Sequence, residues 1–180
     1  MTFCGVVGLG TLVSKGKLDY LKQLRCFASD NRWRIREAVA IALQSIGDKD
    51  ISSLLKEMKD WSKGNFFEKR AAIAALCEPR LLKSDEVSSS VLDLLDDVTL
   101  SIANLTESKS EAFEVFRKGL AYCWSVAIAA CPEKGKKLFE KWAGSKNKEI
   151  IWIMKENLKK NRLLKMDKEW VTNQLVKLNL

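Results

Sequence analysis

The sequence predicts an all-α protein: a right-handed α–α superhelix, or solenoid, of about four helical hairpins followed by a terminal helix. Three observations lead to this fold class. Leu, Ala and Lys are abundant, whereas the 180 residues include only 2 Pro and 9 Gly. Apolar residues recur at helical spacing, and no β-rich alternating stretch appears. A pair of helices is also repeated at a fixed offset, which is typical of α-solenoids.

The length of the chain suits one domain with a sizeable core, so we predict a single solenoid domain over residues 1–180. The N-terminal segment, residues 1–17, is predicted as an apolar helix or arm whose glycines permit close packing. Its GVVGLG stretch lacks the G-x-G-x-x-G spacing and the preceding strand of a phosphate-binding loop. The segment has no basic n-region and is too short to span a membrane.

The first predicted hairpin begins with a short amphipathic helix over Leu18–Ala28. Its second helix is capped by Asp30 or Asn31 and ends near Gly47. A helical stripe of apolar residues marks the face that this second helix buries. The stripe consists of Ile35, Ala38, Val39, Ala42 and Ile46.

The second hairpin repeats the first at an offset of 34 residues. A helix over Ile51–Trp61 is followed by the turn WSKGN and a helix over Phe66–Cys77. At this one offset an aromatic residue matches an aromatic residue and an arginine matches an arginine. Two unrelated helices would share only their apolar spacing, so the match indicates a repeat. The matched pairs include Asn31 with Asn65, Trp33 with Phe67, and Arg36 with Arg70.

The later hairpins are less regular. In the third, two longer helices separate around LTESKSE, and its register is open: one alignment places Arg117 opposite Arg36 and the other places Ser125 there. Pro79 closes the second hairpin and Pro132 the third. Residues 18–165 hold the repeats, and 167–180 form a C-terminal capping helix that begins at Asp167. The predicted helices are Asp85–Asn104, Lys109–Cys131, Glu133–Ala143, Asn147–Leu163 and Lys168–Leu178.

The unit D-x-x-W-x-x-R-x-A, which begins at Asp30, resembles a HEAT repeat over roughly residues 18–165. NRWRIREAVAIAL and the later IIWIMKENLKK are most similar to the bacterial HEAT-like alkylpurine DNA glycosylases of DNA alkylation repair. The resemblance implies a basic concave face that holds duplex DNA, with tryptophans and an aspartate that act on the damaged nucleoside. No position matches the aspartate of that family, so we assign no catalytic residue.

The second helices of a solenoid commonly line its concave surface, and there the sequence places a row of cations. Arg36 shares one face of its helix with Trp33 and Glu37. WIMKENL at 152–158 resembles WRIREAV at 33–39, and it matches Lys155 with Arg36. Arg34 points away from the row. Alternatively, these arginines pair with acidic residues of a neighbouring repeat and Trp33 seals the join. The predicted nucleic-acid-binding residues are Arg36, Arg70, Lys155, Arg32, Trp33 and Trp152.

The formal net charge of +8 favours an acidic partner. Residues 1–105 carry 15 Lys/Arg and 14 Asp/Glu, whereas residues 106–180 carry 16 and 9. Cations along a groove neutralise phosphates and release counterions, so DNA binding would depend strongly on salt. The alternative for the lysines between Lys134 and Lys168 is a solvated face.

The composition excludes several classes of catalytic and metal-binding site. The chain has no histidine, which removes Ser-His-Asp and Cys-His nucleophiles and every His-ligated metal site. Five cysteines without a C-x-x-C pair predict reduced thiols and a cytoplasmic location. We expect no cofactor, no metal and no membrane association. Carboxylates near a tryptophan, which glycosylase chemistry would need, are Asp30, Glu37, Asp60 and Glu156.

We therefore expect a HEAT-like binding module whose basic concave groove takes an acidic partner, either duplex DNA, which is the leading candidate, or an acidic protein. A DNA-repair glycosylase that removes alkylated purines, an N-glycosyl hydrolase, is the first alternative. A protein–protein interaction scaffold is the second, since superhelical repeats generally offer such surfaces.

Overall fold

The computed structural model describes residues 2–103, 105 and 110–179, and these residues form eleven α-helices and no strand. The all-α prediction is confirmed. The chain divides into two compact units, unit 1 over residues 1–81 and unit 2 over residues 82–180. The single solenoid domain stays a prediction.

Unit 1 contains the N-terminal helix and the first two predicted hairpins. The N-terminal segment is a helix, as expected. Gly47 does not end the second helix of the first hairpin; it is buried inside that helix, where a Cβ would lie 2.7 Å from the Leu54 side chain. The helices are α1 (Thr2–Ser14), α2 (Tyr20–Ala28), α3 (Trp33–Lys49), α4 (Ile51–Trp61) and α5 (Phe66–Leu76).

Helix α1 packs closely on α3 at a glycine. A Cβ on Gly10 would lie 2.4 Å from the carbonyl oxygen of Ala42, so only glycine lets the two backbones approach this far. Val6 and Val13, one helical turn on either side of Gly10, are buried with it. Gly5 and Gly8 have no such neighbour. The expected close packing through glycine is therefore confirmed at Gly10.

Helix α3 contacts all four other helices of unit 1: α1, α2, α4 and α5. Helices that surround it in this way leave little of its surface in solvent. Arg36 and Ala40 are buried, although the helical wheel places both on the polar face. The face that stays accessible is a narrower stripe that includes Trp33, Glu37 and Ile41.

Side-chain caps begin both helices of the second hairpin. Asp50 accepts a hydrogen bond from the backbone N–H of Ser53 at the start of α4. Asn65 and Glu68 form a reciprocal capping box at the start of α5, which satisfies two backbone N–H groups. The N-cap of α3 is Arg32 and not the expected Asp30 or Asn31; the carboxylate of Asp30 accepts from both the backbone N–H and the side chain of Arg32.

Unit 2 contains the later hairpins. Asp167 accepts a hydrogen bond from the N–H of Trp170 at the start of the last helix, as predicted. The predicted end of one helix at Asn104 and the predicted start of the next at Lys109 lie outside the described residues. The same holds for residues 106–109 of LTESKSE. The helices are α6 (Asp85–Ala103), α7 (Glu111–Ala130), α8 (Pro132–Ala143), α9 (Lys148–Leu158), α10 (Asn161–Met166) and α11 (Lys168–Lys177).

The predicted helix over Asn147–Leu163 is wrong, because it divides into α9 and α10 at Lys159 and Lys160. The backbone of Lys160 is extended, with φ −84° and ψ 121°. No glycine or proline marks this break in the sequence. The break lets α10 pack against α7, where Leu163 is fully buried.

Buried hydrogen bonds fix α7 within unit 2. The indole N–H of Trp124 donates to the Thr99 hydroxyl on α6 at 3.1 Å. Asn157 on α9 is fully buried against the α7 backbone. Its side chain accepts from the N–H of Ser125 at 2.8 Å and donates to the carbonyl of Leu120 at 3.0 Å. These bonds satisfy the buried side-chain groups of Trp124 and Asn157, which would otherwise be unpaired.

Candidate nucleic-acid interface

Arg36, the first cation of the predicted row, is only 6% exposed. Its Nη1 donates to the carbonyl oxygens of Asp30 at 2.8 Å and Asn31 at 3.3 Å. The guanidinium lies 4.8 Å above the ring centre of Phe67 at the start of α5. Arg36 therefore joins its own hairpin to the next one.

Arg70 continues this connection from α5 back to α3. Its Nη1 donates to the carbonyl oxygen of Arg36 at 3.2 Å, and its Nη2 binds the carboxylate of Glu37. This is the pairing with an acidic residue of a neighbouring repeat that the structural alternative predicts. The recurrence of Arg36 and Arg70 at one offset thus has an explanation in packing.

Unit 2 contains a comparable arrangement between α7 and α9. The guanidinium of Arg117 lies 4.1 Å above the ring centre of Trp152, and it binds the carboxylates of Glu149 and Glu114. Arg117 on α7 thus covers the aromatic ring of Trp152 on α9, as Arg36 on α3 covers the ring of Phe67 on α5. This likeness favours the alignment that places Arg117, rather than Ser125, opposite Arg36.

Trp33, by contrast, is 62% exposed at the start of α3. Its neighbour Arg32 binds Asp30 through two nitrogens, Nε at 2.9 Å and Nη2 at 2.8 Å, which lowers the pKa of that carboxyl to about 2. The guanidinium of Arg34 lies 5.5 Å from the Trp33 ring centre. Arg32 thus binds a carboxylate, whereas Arg34 lies beside the exposed Trp33 ring.

A second exposed aromatic residue lies in unit 2, at Tyr122 on α7. Arg162 on α10 donates from Nη2 to the tyrosine hydroxyl at 2.6 Å, and its guanidinium lies 4.5 Å above the ring. Tyr122 is 44% exposed, and Lys118 is exposed one helical turn before it. No sequence pattern marks this pair, because its members lie 40 residues apart.

Arg34 and Arg162 differ from the other six arginines of the chain, which bind carboxylates or backbone carbonyls. Within the described residues, no carboxylate lies within ion-pair distance of Arg34 or Arg162. Each instead stacks on an exposed aromatic ring. We call Trp33–Arg34 and Tyr122–Arg162 the exposed arginine–aromatic pairs.

Several lysines of the basic C-terminal region are paired with carboxylates of unit 2, and Lys155 is not among them. Lys155 is half-buried on α9, and no described carboxylate pairs with it. Four of the eleven lysines between residues 134 and 168 are therefore paired with carboxylates. The pairs are Lys134 with Asp93, Lys136 with Asp167, Lys141 with Asp96, and Lys159 with Glu156.

The four carboxylates that the sequence offers for glycosylase chemistry are all paired with cations. Glu37 differs from the other three because an exposed tryptophan precedes it by one helical turn. Asp30 is held by Arg32, Asp60 by Arg25, and Glu156 by Lys159. The Glu37 side chain is 44% exposed and lies one helical turn after the exposed Trp33. Its partner Arg70 approaches from α5. Glu37 is thus a fixed, accessible carboxylate beside an accessible indole.

Within residues 2–103, 105 and 110–179, no three Cys, Asp or Glu side chains converge as metal ligands would. Across the same part of the chain, every helix is too short or too polar to cross a lipid bilayer. Comparison of the chain with protein-family models, with curated proteins and with solved structures yields no match.

Proposed function

We propose that this chain is a helical-repeat binding module for an acidic partner, with DNA as the leading partner. The proposal includes the finer architecture, a right-handed superhelix of HEAT-like hairpins over residues 18–165 whose concave surface is the binding face. The observation that carries it is the pair of arginines, Arg34 and Arg162, that stack on exposed aromatic rings and have no carboxylate partner among the described residues.

An arginine without a carboxylate partner keeps its donors for a phosphate. The guanidinium presents five N–H groups in a rigid fork that fits phosphate oxygens. Stacking on Trp33 or Tyr122 holds the fork in place, so less side-chain entropy is lost on binding. Lys118 adds a third exposed cation beside Tyr122. Phosphate contacts of this kind release counterions, so the affinity falls as salt rises.

Charge reversal at both exposed arginines is expected to weaken DNA binding. For Arg34→Glu with Arg162→Glu, the affinity for a duplex should fall by about tenfold or more at low salt. The slope of log K against log salt should also lose about one for each arginine that contacts a phosphate. Fluorescence anisotropy of a labelled duplex across salt concentrations measures both quantities.

Lys137→Glu is the matched control, since it reverses an exposed charge on α8. It should leave the affinity close to that of the unmodified chain. An affinity that ignores salt, or that responds equally to all three reversals, would contradict the site. Absence of DNA binding at low salt would redirect the proposal to an acidic protein partner, with the chain as a protein–protein interaction scaffold.

A second candidate function, a glycosylase that releases alkylated purines, is favoured by the geometry around Glu37. Hydrolysis of an N-glycosidic bond needs a carboxylate near the sugar and an aromatic or electron-rich wall near the base. Glu37 and Trp33 share the accessible face of α3, and Arg70 holds the carboxylate from the next hairpin. A carboxylate held in place in this way suits stabilisation of a developing positive charge on the sugar.

For this candidate we expect release of methylated purine from alkylated duplex DNA. Glu37→Gln should reduce release while it leaves duplex affinity in place. Glu156→Gln is the matched control, because Glu156 also follows a tryptophan by one turn, but that tryptophan is covered by Arg117. Product analysis at high protein concentration is the measurement, and release no greater than in protein-free DNA would rule the activity out.

A further inference from the structure

The exposed arginine–aromatic pairs contain a ring as well as a cation, and the ring has its own ligand chemistry. We infer that these pairs bind unpaired nucleotides, with the ring of Trp33 or Tyr122 stacked on a nucleobase and the arginine on a flanking phosphate. The inference rests on the proposed DNA binding and specifies the state of the strand.

The exposure of Trp33 supports a stacking role. An indole that only sealed a join between helices would be covered, as the fully buried Trp61 and Trp124 are. Trp33 is 62% exposed, although Arg34 lies over its ring. A guanidinium occupies one face of a ring, so the other face of the indole stays accessible to a planar ligand. Stacking of a base on such a face tolerates any sequence, because every base has a π-face.

Tyr122 offers the same surface in a more fixed orientation. Its hydroxyl accepts a hydrogen bond from Arg162 at 2.6 Å, which limits rotation of the ring and of the guanidinium together. A base on the ring and a phosphate on the arginine are adjacent parts of one nucleotide strand.

The state of the nucleic acid decides whether the rings contribute. In a duplex the bases stack on one another, so an aromatic side chain reaches a base face only if a base leaves the stack. Phosphates, in contrast, are accessible in both forms. The arginines therefore act on duplex and single strand alike, whereas the rings add affinity only for unpaired bases.

The test compares three ligands of one length: a single strand, its duplex, and a single strand whose sugars lack bases. Trp33→Ala should weaken binding of the normal single strand by about tenfold. It should weaken binding of the duplex and of the abasic strand far less, because neither offers a base face and the ring there only orients Arg34. Tyr122→Ala gives an independent second reading. Phe3→Ala is the matched control, since Phe3 is an exposed aromatic residue of unit 1 without an arginine over it in the described residues.

A thermal melt by circular dichroism confirms that each variant is folded. Equal losses on normal and abasic strands, or no loss on either, would overturn the stacking role and leave phosphate binding intact. Binding of neither the single strand nor the duplex by the unmodified chain would instead defeat the proposed function, and this inference with it.

Discussion

Replacement of Asn157 by leucine is expected to lower the free energy of unfolding by about 3 kcal/mol. The two side chains branch at the same carbon, so the change removes hydrogen bonds with little change of shape. Asn157 is fully buried between α9 and α7. Its amide bonds to the N–H of Ser125 and to the carbonyls of Leu120 and Ile153.

The cost arises from the three hydrogen bonds that are lost. Each such bond contributes roughly 0.5–1.5 kcal/mol, and water cannot reach this buried site to replace the amide. Urea unfolding followed by circular dichroism measures the change. Asn173→Leu on α11 is the control, since Asn173 is exposed and its replacement should stay within about 0.5 kcal/mol of the unmodified chain. Equal stabilities for the two variants would show that the Asn157 bonds add nothing.

Arg36→Met is expected to lower the free energy of unfolding by about 2 kcal/mol. Methionine keeps an unbranched side chain over Phe67 but removes the charged donors to the carbonyls of Asp30 and Asn31. Arg34→Met, two residues earlier, is the control. Arg34 is exposed and stacks only on Trp33 among its described contacts, so its stability effect should be within about 0.5 kcal/mol.

The same two variants should have the opposite order in DNA binding. Under conditions where both are folded, Arg34→Met should weaken duplex binding, whereas Arg36→Met should leave it nearly unchanged. Urea unfolding and anisotropy on one set of samples separate the two roles. A loss of affinity in Arg36→Met as large as in Arg34→Met would return Arg36 to the binding residues that the sequence predicts.

The repeat explains why the sequence predicts the helices of unit 1 so closely. Apolar spacing reports which face a helix buries, and the offset that matches Trp33 with Phe67 reports that two hairpins share one plan. The same reasoning fails between α9 and α10. No glycine or proline precedes the break at Lys160, which accompanies the packing of α10 on α7.

The site was harder to predict than the helices. A helical wheel represents one helix, so it cannot show that α3 has four neighbours and that its polar face is partly covered. Arg36 therefore belongs to a wheel face with Trp33, yet one side chain is buried and the other is exposed. Tyr122 and Arg162 gave no local signal, because their contact depends on how α10 returns to α7.

By itself, the sequence determined the all-helical class, the paired helices of unit 1 and the recurrence of an arginine at equivalent positions. Spacing and composition are enough for these, since they depend on periodicity along one chain. Only the tertiary structure decided which arginines have a carboxylate partner in the part of the chain that it describes. A guanidinium takes whatever acceptor packing brings within reach, and Glu37 reaches Arg70 only because α5 lies beside α3.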